Sequence, residues 1–407
     1  MVRVKEETQP QEPPYQERSG SMVLRNEKLV HEVVGEPEQF DERDNVFARS
    51  DLKPGSPEYE EYYDRYPERE KPDSHCRVMS DPAQGPRRAA ESFPDEPLAL
   101  AFSGAMRLTS YLLADHLDGP VSPRRMEMEP EVMSRHIKAA GQYLGADLVG
   151  ISPLNPAWVY SHTGRCFYGG AKRGDPIYLS HRYSITLGYA HDWELLVAGR
   201  DPSPASNIDS LNLYSLMAEA ATRLAAYIRL LGYPARAHQV AGYQVLQVPL
   251  AIDAGIGELG RLGFLVSKRF GPSLRLVTVT TDLPLEVDTP VDLGVQDFCE
   301  KCEKCADACP VEAIPKGKNQ QVAVRGVKRW QIDPDRCFRF WNARGSSCYI
   351  CMSVCPWTKP RNWFHRLNAD LATRSAALRS LLIWIDDIFY GKRPKGHGLP
   401  SWLSPKN

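Results

Sequence analysis

The spacing of apolar residues divides the chain into predicted helices and strands. Over 209–231, apolar side chains recur every three or four positions, which predicts a long amphipathic helix. We expect Asn207 or Asp209 to cap this helix and Gly232 to end it. Weaker spacing of the same kind predicts further helices over 98–117, 130–144 and 374–390.

Three segments have the composition of strands. They are 147–152, 183–189 and 274–281, all rich in β-branched and aromatic residues. A short apolar segment, 245–251, precedes a glycine-rich stretch. Because the predicted strands alternate with helices, the pattern indicates an α/β or α+β core, and we adopt α+β as the fold class.

The regions outside this core differ in composition. Residues 1–95 are rich in Pro, Glu and Asp, which predicts an extended N-terminal arm with a disordered start at residues 1–20. Tyrosines at 59, 62, 63 and 66 would hold the rest of the arm on a compact surface that begins near Leu98. We expect a core at 96–295, a cysteine-rich module with little regular structure at 296–360, and a C-terminal helix and tail at 361–407.

Composition and charge limit the classes of partner. The chain has 407 residues, 42% hydrophobic, which is enough to build one large or two to three ordinary domains. Its formal net charge of −1 gives no basic field to attract nucleic acid. No run approaches the ~18 apolar residues of a membrane span, and the N-terminus lacks the apolar region of a secretion signal. We therefore expect a cytoplasmic protein without membrane or nucleic-acid partners.

Eight of the ten cysteines form two closely spaced runs. The runs are Cys299-x2-Cys302-x2-Cys305-x3-Cys309-Pro and Cys337-x10-Cys348-x2-Cys351-x3-Cys355-Pro. In this ferredoxin spacing, three cysteines hold one 4Fe–4S cluster and the fourth reaches the other cluster. We therefore expect one cluster on Cys299, Cys302, Cys305 and Cys355, and a second on Cys309, Cys337, Cys348 and Cys351. Zinc sites use separated cysteine pairs instead.

The other cysteines and the tryptophans have less specific interpretations. We expect Cys76 and Cys166 to be free thiols. Trp330, Trp341 and Trp357 bracket the second run, where aromatic packing would keep water from the clusters. The clusters alone would suit a non-catalytic electron carrier, but such a carrier would be far shorter than this chain.

Gly255, Gly257 and Gly260 satisfy the G-x-G-x-x-G pattern of dinucleotide sites. Gly263 interrupts the helix that such a site needs, so the pattern is a weak indication of nicotinamide binding. Glycines also let the backbone approach a flat cofactor closely.

Several motifs together resemble the catalytic subunit of reductive dehalogenases. They lie at 253–261, 270–275, 281–285 and 294–299 and continue through both cysteine runs to 359; the arm at 40–47 resembles members without an export signal. The resemblance extends over roughly residues 95–395. It implies a nitroreductase-like core that binds cobalamin and a ferredoxin-like module with two 4Fe–4S clusters. The core lacks a D-x-H-x-x-G motif, in agreement with base-off binding of the corrinoid.

The same resemblance assigns roles to individual residues. Spacing alone would make Tyr214 a surface tyrosine and Arg275 a strand-end ion-pair partner; the resemblance makes them the catalytic tyrosine and active-site arginine. It makes Trp341 a substrate-pocket residue, and Ser347, which replaces an aromatic residue, would widen that pocket. The loop 238–244 corresponds to a third polar group, Asn or Lys in relatives, but carries neither. His238, by position an exposed or capping histidine, is our catalytic candidate there.

The implied reaction replaces a carbon-bound halogen of a small organohalide by hydrogen. The clusters would reduce the cobalt to Co(I), Tyr214 would donate a proton, and Arg275 would stabilise the tyrosinate and the leaving charge. The glycine loop and Arg261 would form part of the corrinoid cradle. A ferredoxin or flavodoxin would supply electrons. The alternative enzyme is epoxyqueuosine reductase, a tRNA enzyme with similar cysteine runs, which the near-zero charge disfavours.

Overall fold

The computed structural model describes residues 3–6, 33–80, 91–107, 113–165, 172–360, 362–392 and 394–404. Cys166 lies outside these residues, as does most of the segment predicted to be disordered. Within them, the strands are β1 (Arg3–Glu6), β2 (Arg124–Glu127), β3 (Leu148–Pro153), β4 (Tyr183–Ala190), β5 (Ala235–His238), β6 (Glu258–Leu259), β7 (Leu265–Val266), β8 (Leu274–Thr281), β9 (Gln321–Val324) and β10 (Val327–Trp330).

Helices account for most of the remaining regular structure. The α-helices are α1 (Val46–Ser50), α2 (Pro57–Arg65), α3 (Pro67–Ser80), α4 (Pro97–Arg107), α5 (Pro130–Tyr143), α6 (Trp193–Ala198), α7 (Ala205–Leu230), α8 (Gln247–Asp253), α9 (Val295–Lys301), α10 (Lys304–Ala308), α11 (Pro334–Ala343), α12 (Ile350–Ser353), α13 (Trp363–Arg374) and α14 (Ala376–Tyr390). Short 3-10 helices lie at Glu42–Asp44, Ala114–His116 and Pro156–Trp158. No helix of the described chain is long and apolar enough to cross a membrane.

The core is a four-stranded antiparallel sheet in the order β3-β4-β8-β5. This confirms the three predicted strands and a mixed α/β architecture. The apolar stripe of α7 packs against one face of the sheet, where Leu224 and Ile228 contact Val277 and Val279 in one buried cluster. The sheet and α7 together form the rigid support for the site described below.

The predicted long helix is confirmed, but its start is not where we expected. It begins at Ala205, so Asn207 and Asp209 lie inside the first two turns and do not cap it. Asp209 instead accepts a hydrogen bond from the backbone N–H of Asp192. Gly232 follows the end of the helix with a φ of 90°, a conformation that glycine adopts without strain.

Between Glu42 and Ser80 the N-terminal arm is mostly helical, whereas the sequence predicted an extended arm. Helices α1 to α3 pack together through Tyr59, Tyr62 and Tyr63, which are buried as expected. Buried Arg49 donates to Asp73 at 2.9 Å and to Asp335 of α11 at 2.5 Å. Charged side chains thus attach the arm to the cysteine-rich module, and compact structure begins well before Leu98.

The cysteine-rich module and the C-terminus also contain more regular structure than predicted. Four helices and a hairpin, β9–β10, lie within 295–353. The C-terminal segment has two helices, α13 and α14, where the sequence indicated one. Their apolar spacing is interrupted at Ser375, whose side chain caps α14 by accepting from the Leu378 N–H.

Candidate active site and cluster module

A hydrogen-bond network joins α7 to strand β8. Ser206, Ser210 and Tyr214 are four residues apart, so they lie on one face of α7. Arg275, the second residue of β8, donates from Nη1 to the Tyr214 hydroxyl at 2.8 Å. Its Nη2 donates to the Ser210 hydroxyl at 2.6 Å, and its guanidinium lies 4.4 Å from the centre of the Tyr214 ring. The structure therefore brings together the two residues that the resemblance predicted to be catalytic.

Tyr349 extends this network into the cysteine-rich module. Its hydroxyl lies 2.6 Å from that of Ser210, and its ring packs edge-on against His191 at 4.8 Å. The Nδ1 atom of His191 is in turn hydrogen-bonded to Asp209. The sequence did not indicate a place in the site for Ser210, Tyr349, His191 or Asp209. One signal in the sequence could have indicated Ser210: it lies four residues before Tyr214, and therefore on the same face of a helix.

Burial and charge set the protonation of the network. Burial first, and then the nearby Asp209 carboxyl, raise the pKa of Tyr349 well above its ordinary value, so its hydroxyl keeps its proton. Burial lowers the pKa of His191 despite its bond to Asp209. Burial would lower the pKa of Arg275, but the hydroxyls of Tyr214 and Tyr349 outweigh it and raise the pKa. Arg275 is thus a permanent cation beside Tyr214.

Arg275 also provides a test of whether the site suits a bound cofactor. Its Nε atom is buried and has no hydrogen-bond acceptor among the described residues. An unsatisfied buried donor costs about 1–3 kcal/mol. Amide oxygens at the edge of a corrin ring, or a departing halide, are acceptors of the kind that would remove this cost. The residues present therefore fit a corrinoid and an anionic leaving group beside Arg275.

His238 lies on the other side of the sheet from this network. In the antiparallel register it pairs with Thr278, whereas Arg275 pairs with Tyr189. Since side chains alternate along a strand, Thr278 and Arg275 point to opposite faces. His238 is completely buried, with Nε2 bonded to Thr280 and Nδ1 accepting from the Gln244 N–H, so the expectation of an exposed or capping histidine was wrong. Burial lowers its pKa well below the ordinary value.

Another residue of the same loop lies closer to the site. Tyr243 is partly buried beside Tyr160, with ring centres 5.9 Å apart, and it interacts electrostatically with Tyr214. Burial raises the pKa of Tyr243, which keeps it protonated. Tyr243 is therefore a candidate for the third polar group that the loop was expected to supply.

Ser347 and Trp341 have different surroundings. Ser347 donates from its backbone N–H and its hydroxyl to Asn207 of α7, at 2.8 and 3.0 Å. Trp341 packs against Phe338 and Phe47 where the arm meets the module. Ser347 thus lies beside the network, whereas the ring contacts of Trp341 are with Phe338 of the module and Phe47 of the arm. A pocket role for either residue stays a prediction.

The division of the eight cysteines between two clusters stays a prediction, which the surroundings of two of the thiols support. The thiols that interact most strongly with buried Cys305 are Cys299, Cys355 and Cys302, and burial together with these thiols raises its pKa. Cys351 interacts most strongly with Cys348, Cys337 and Cys309, and burial together with them raises its pKa in the same way. No three His, Cys, Asp or Glu side chains in the described chain are placed to hold a single metal ion. A cubane binds each thiolate at a different iron, so its ligands lie further apart than those of one ion.

Arg261 belongs to the core, is completely buried and contacts the module. It donates from Nε to the Cys299 carbonyl at 3.0 Å and from Nη1 to the Pro315 and Gly317 carbonyls at 3.0 and 2.9 Å. Its guanidinium lies 5.1 Å from the centre of the Trp330 ring. In the described structure Arg261 thus orders the loop of the first cysteine run, and a direct contact with corrinoid stays a prediction.

Close packing explains why residues 255, 257 and 260 of the glycine loop lack side chains. A Cβ on Gly255 would come within 2.4 Å of the Thr289 carbonyl, and one on Gly257 within 2.3 Å of the Val266 carbonyl. A Cβ on Gly260 would meet the Val266 and Leu262 side chains at 2.7 and 2.8 Å. The loop follows helix α8, whereas the dinucleotide motif follows a strand and opens a helix. This excludes the nicotinamide interpretation, and a role in the corrinoid cradle stays a prediction.

Comparisons with known proteins show which proteins this chain resembles. Residues 298–359 match the 4Fe-4S dicluster domain family. The tetrachloroethene reductive dehalogenase of Desulfitobacterium hafniense is 35% identical over 299 residues, which cover 64% of this chain and 54% of that relative. The solved structure of the catabolic reductive dehalogenase NpRdhA with 3-bromo-4-hydroxybenzoic acid has a TM-score of 0.63 and 31% identity, covering 75% of this chain and 43% of that one.

A second solved structure, of a reductive dehalogenase described as B12-dependent, also has a TM-score of 0.63 and 31% identity; the match covers 75% of this chain and 44% of that one. The epoxyqueuosine reductase of Aliivibrio fischeri is 30% identical over 153 residues, 36% of this chain and 40% of that enzyme, which is a much shorter match. The chain is therefore homologous to reductive dehalogenases over most of its length, and part of it matches a 4Fe–4S dicluster domain. It spans about half the length of the curated relatives that it matches.

Proposed function

We propose that this chain reduces an organohalide, replacing its carbon-bound halogen by hydrogen. The observation that carries the proposal is the hydrogen bond from Arg275 to Tyr214 on the rigid support of α7 and β8. A second support is the homology to reductive dehalogenases over most of the chain. We infer further that the sheet and its helices form a nitroreductase-like, corrinoid-binding core.

The reaction consumes two electrons and one proton and releases halide. A base-off corrinoid, when bound, supplies electrons through its cobalt to cleave the carbon–halogen bond. Tyr214 gives its hydroxyl proton to the carbon that loses the halogen. The Arg275 guanidinium, 2.8 Å from that oxygen, stabilises the resulting tyrosinate, and its buried Nε–H is available to the leaving halide. Solvent then returns the proton to Tyr214.

Two 4Fe–4S clusters in a ferredoxin-like module would deliver the electrons. Cys299, Cys302, Cys305 and Cys355 would bind one cluster, and Cys309, Cys337, Cys348 and Cys351 the other. In the sequence, Tyr349 lies between Cys348 and Cys351, two predicted ligands of the second cluster. Its hydroxyl is hydrogen-bonded to Ser210. That cluster therefore adjoins the network around Arg275. A soluble cytoplasmic donor such as ferredoxin or flavodoxin would reduce the clusters, without a membrane or nucleic-acid partner.

Anaerobic reconstitution with iron, sulfide and cobalamin tests this function. The reconstituted chain is incubated with a chemical reductant and a panel of halophenols and haloalkenes, and free halide is measured. We expect halide release that requires added cobalamin, and corrin absorbance in the desalted protein. Absence of corrin absorbance would refute the proposal. Reduction of epoxyqueuosine in tRNA, without halide release, would favour the alternative enzyme, and bound clusters without either activity would favour an electron carrier.

A further inference from the structure

Helices α13 and α14 cover the cysteine-rich module and enclose a cavity of about 560 Å³. Phe298, Pro356 and Trp357 line it on the module side. Because Phe298 precedes Cys299 and Pro356 follows Cys355, the floor of the cavity adjoins two ligands predicted to bind the same cluster. The outer surface of this helix pair is here called the α13–α14 face. It is therefore close to the cluster predicted on Cys299, Cys302, Cys305 and Cys355.

The α13–α14 face exposes far more apolar surface than its own packing requires. The side chains concerned are Trp363, Phe364, Leu367, Leu381, Trp384, Ile388 and Phe389, of which Trp363 is 76% and Phe389 71% exposed. Both helices nevertheless bury other residues, such as Ala372 and Leu382, against the module. Large exposed apolar patches on folded proteins mark interaction sites.

The charge at the edge of this face is positive. The acidic residues of the two helices are neutralised: Asp370 pairs with Lys268 at 2.7 Å, and Asp386 and Asp387 both pair with buried Lys304. Arg269 and Arg366 are exposed beside the cavity and have no ion pair among the described residues. The face thus has an apolar centre and a basic edge.

We propose that the α13–α14 face is the docking site of a small acidic one-electron carrier protein of the ferredoxin class, an inference that rests on the proposed function. An apolar centre with a polar rim is the usual anatomy of a protein interface. A basic edge attracts an acidic partner and speeds its encounter. A second copy of this chain is disfavoured, because pairing two such faces would oppose basic edges. An electron entering here reaches the cluster of Cys299 and Cys355 first.

The test uses the full reconstituted chain and plant-type ferredoxin, an acidic iron–sulfur protein, as the probe. One variant is the double substitution Arg269→Glu and Arg366→Glu, and a second is Trp384→Ser, which reduces the apolar centre. The matched control is Arg135→Glu, an exposed arginine of α5 on the core. Binding is measured by calorimetry at low and moderate salt. Cluster reduction is followed by stopped-flow absorbance, with reduced ferredoxin or with dithionite as the donor.

We expect ferredoxin to bind the wild type in a salt-sensitive way. The charge-reversed variant should bind ferredoxin at least about tenfold more weakly than the wild type does. Ferredoxin should also reduce its clusters more slowly, by a similar factor. Trp384→Ser should also bind more weakly, and dithionite should reduce every variant at the wild-type rate. Equal ferredoxin binding and reduction by the wild type, both variants and the control would overturn the proposal. A dimer in sedimentation that Trp384→Ser dissociates would also overturn it, in favour of self-association.

The two proposals fail in different ways. If the docking site is wrong but the function is right, dithionite-driven halide release continues and ferredoxin reduction is insensitive to the variants. If the function is wrong but the docking site is right, ferredoxin still binds and reduces the clusters through the α13–α14 face, and no halide is released.

Discussion

The hydroxyl of Tyr349 lies 2.6 Å from that of Ser210, and this contact joins the cysteine-rich module to the helix that carries Tyr214. Ser210 also accepts from Arg275, so one serine connects the loop between Cys348 and Cys351 to the active-site arginine. The position of the arginine and the conformation of a cluster loop are therefore not independent. A change on either side of this contact is expected to affect the other.

Substituting Tyr349→Phe tests this connection. Loss of one buried hydrogen bond should lower the free energy of unfolding by about 1 kcal/mol. Because Arg275 is then held less firmly against Tyr214, we expect halide release to slow about tenfold at unchanged iron content. The control is Tyr233→Phe, which removes a hydroxyl bonded to the Met126 carbonyl and so costs similar stability outside the network. Equal rates in the two variants would show that the Tyr349 contact has no role in positioning.

Cysteine substitutions test how the eight thiols are divided. The reconstituted chain should hold about eight irons, and Cys299→Ala or Cys355→Ala should each leave about four. Because both residues are assigned to one cluster, the double variant should also keep about four irons. The combination of Cys299→Ala with Cys309→Ala should lose nearly all the iron. If the first pair loses more iron than the second, the assignment of ligands is wrong.

The stability of the chain should depend on pH through Asp253. Burial raises the pKa of this carboxyl from 3.8 to about 6, although the Trp158 indole N–H donates to it at 2.7 Å. Between these values the folded state holds more protons than the unfolded state, so this group makes stability fall as pH rises to about 6 and then level off. Asp253→Asn should therefore raise the free energy of unfolding at pH 7 by about 3 kcal/mol and have little effect near pH 4. Equal stabilisation at both pH values would contradict this account.

Arg49 should be important for the attachment of the N-terminal arm. Replacing it with Met leaves the buried Asp73 without its main cationic partner, which should cost about 3–5 kcal/mol in stability. Arg43→Met, which removes a more exposed pair with Asp41, should cost less than about 1 kcal/mol. Thermal unfolding and limited proteolysis of the arm measure both effects. Similar losses in the two variants would rule out a special role for Arg49.

The sequence predicted the elements whose signals are local. The apolar stripe of α7 and the β-branched run of β8 were correctly placed. Each element buries one face in the core, and this burial gives its sequence a regular apolar spacing. Helices α1 to α3 could not be inferred in the same way: their stability depends on the partners of Arg49, which lie 24 and 286 residues away in the chain. Spacing likewise predicted an iron–sulfur module from the two cysteine runs, and residues 298–359 match a 4Fe–4S dicluster domain.

The candidate site was predicted only in part for the same reason. The resemblance named Tyr214 and Arg275, and the packing of α7 on β8 places them together. Tyr349 was missed because its connection to Ser210 spans 139 residues and no local pattern records it. His238 was misplaced because the register of β5, which decides the face of the sheet, depends on pairing with a distant strand.

The initial rate of halide release by Tyr214→Phe tests the central claim most directly. The variant is reconstituted with iron, sulfide and cobalamin, reduced chemically, and compared with Tyr227→Phe, which alters a tyrosine of the same helix that faces His136. We predict that Tyr214→Phe keeps its corrin absorbance but releases halide at least about 100-fold more slowly, while Tyr227→Phe matches the wild type. A wild-type rate in Tyr214→Phe would show that another group supplies the proton and would contradict the account.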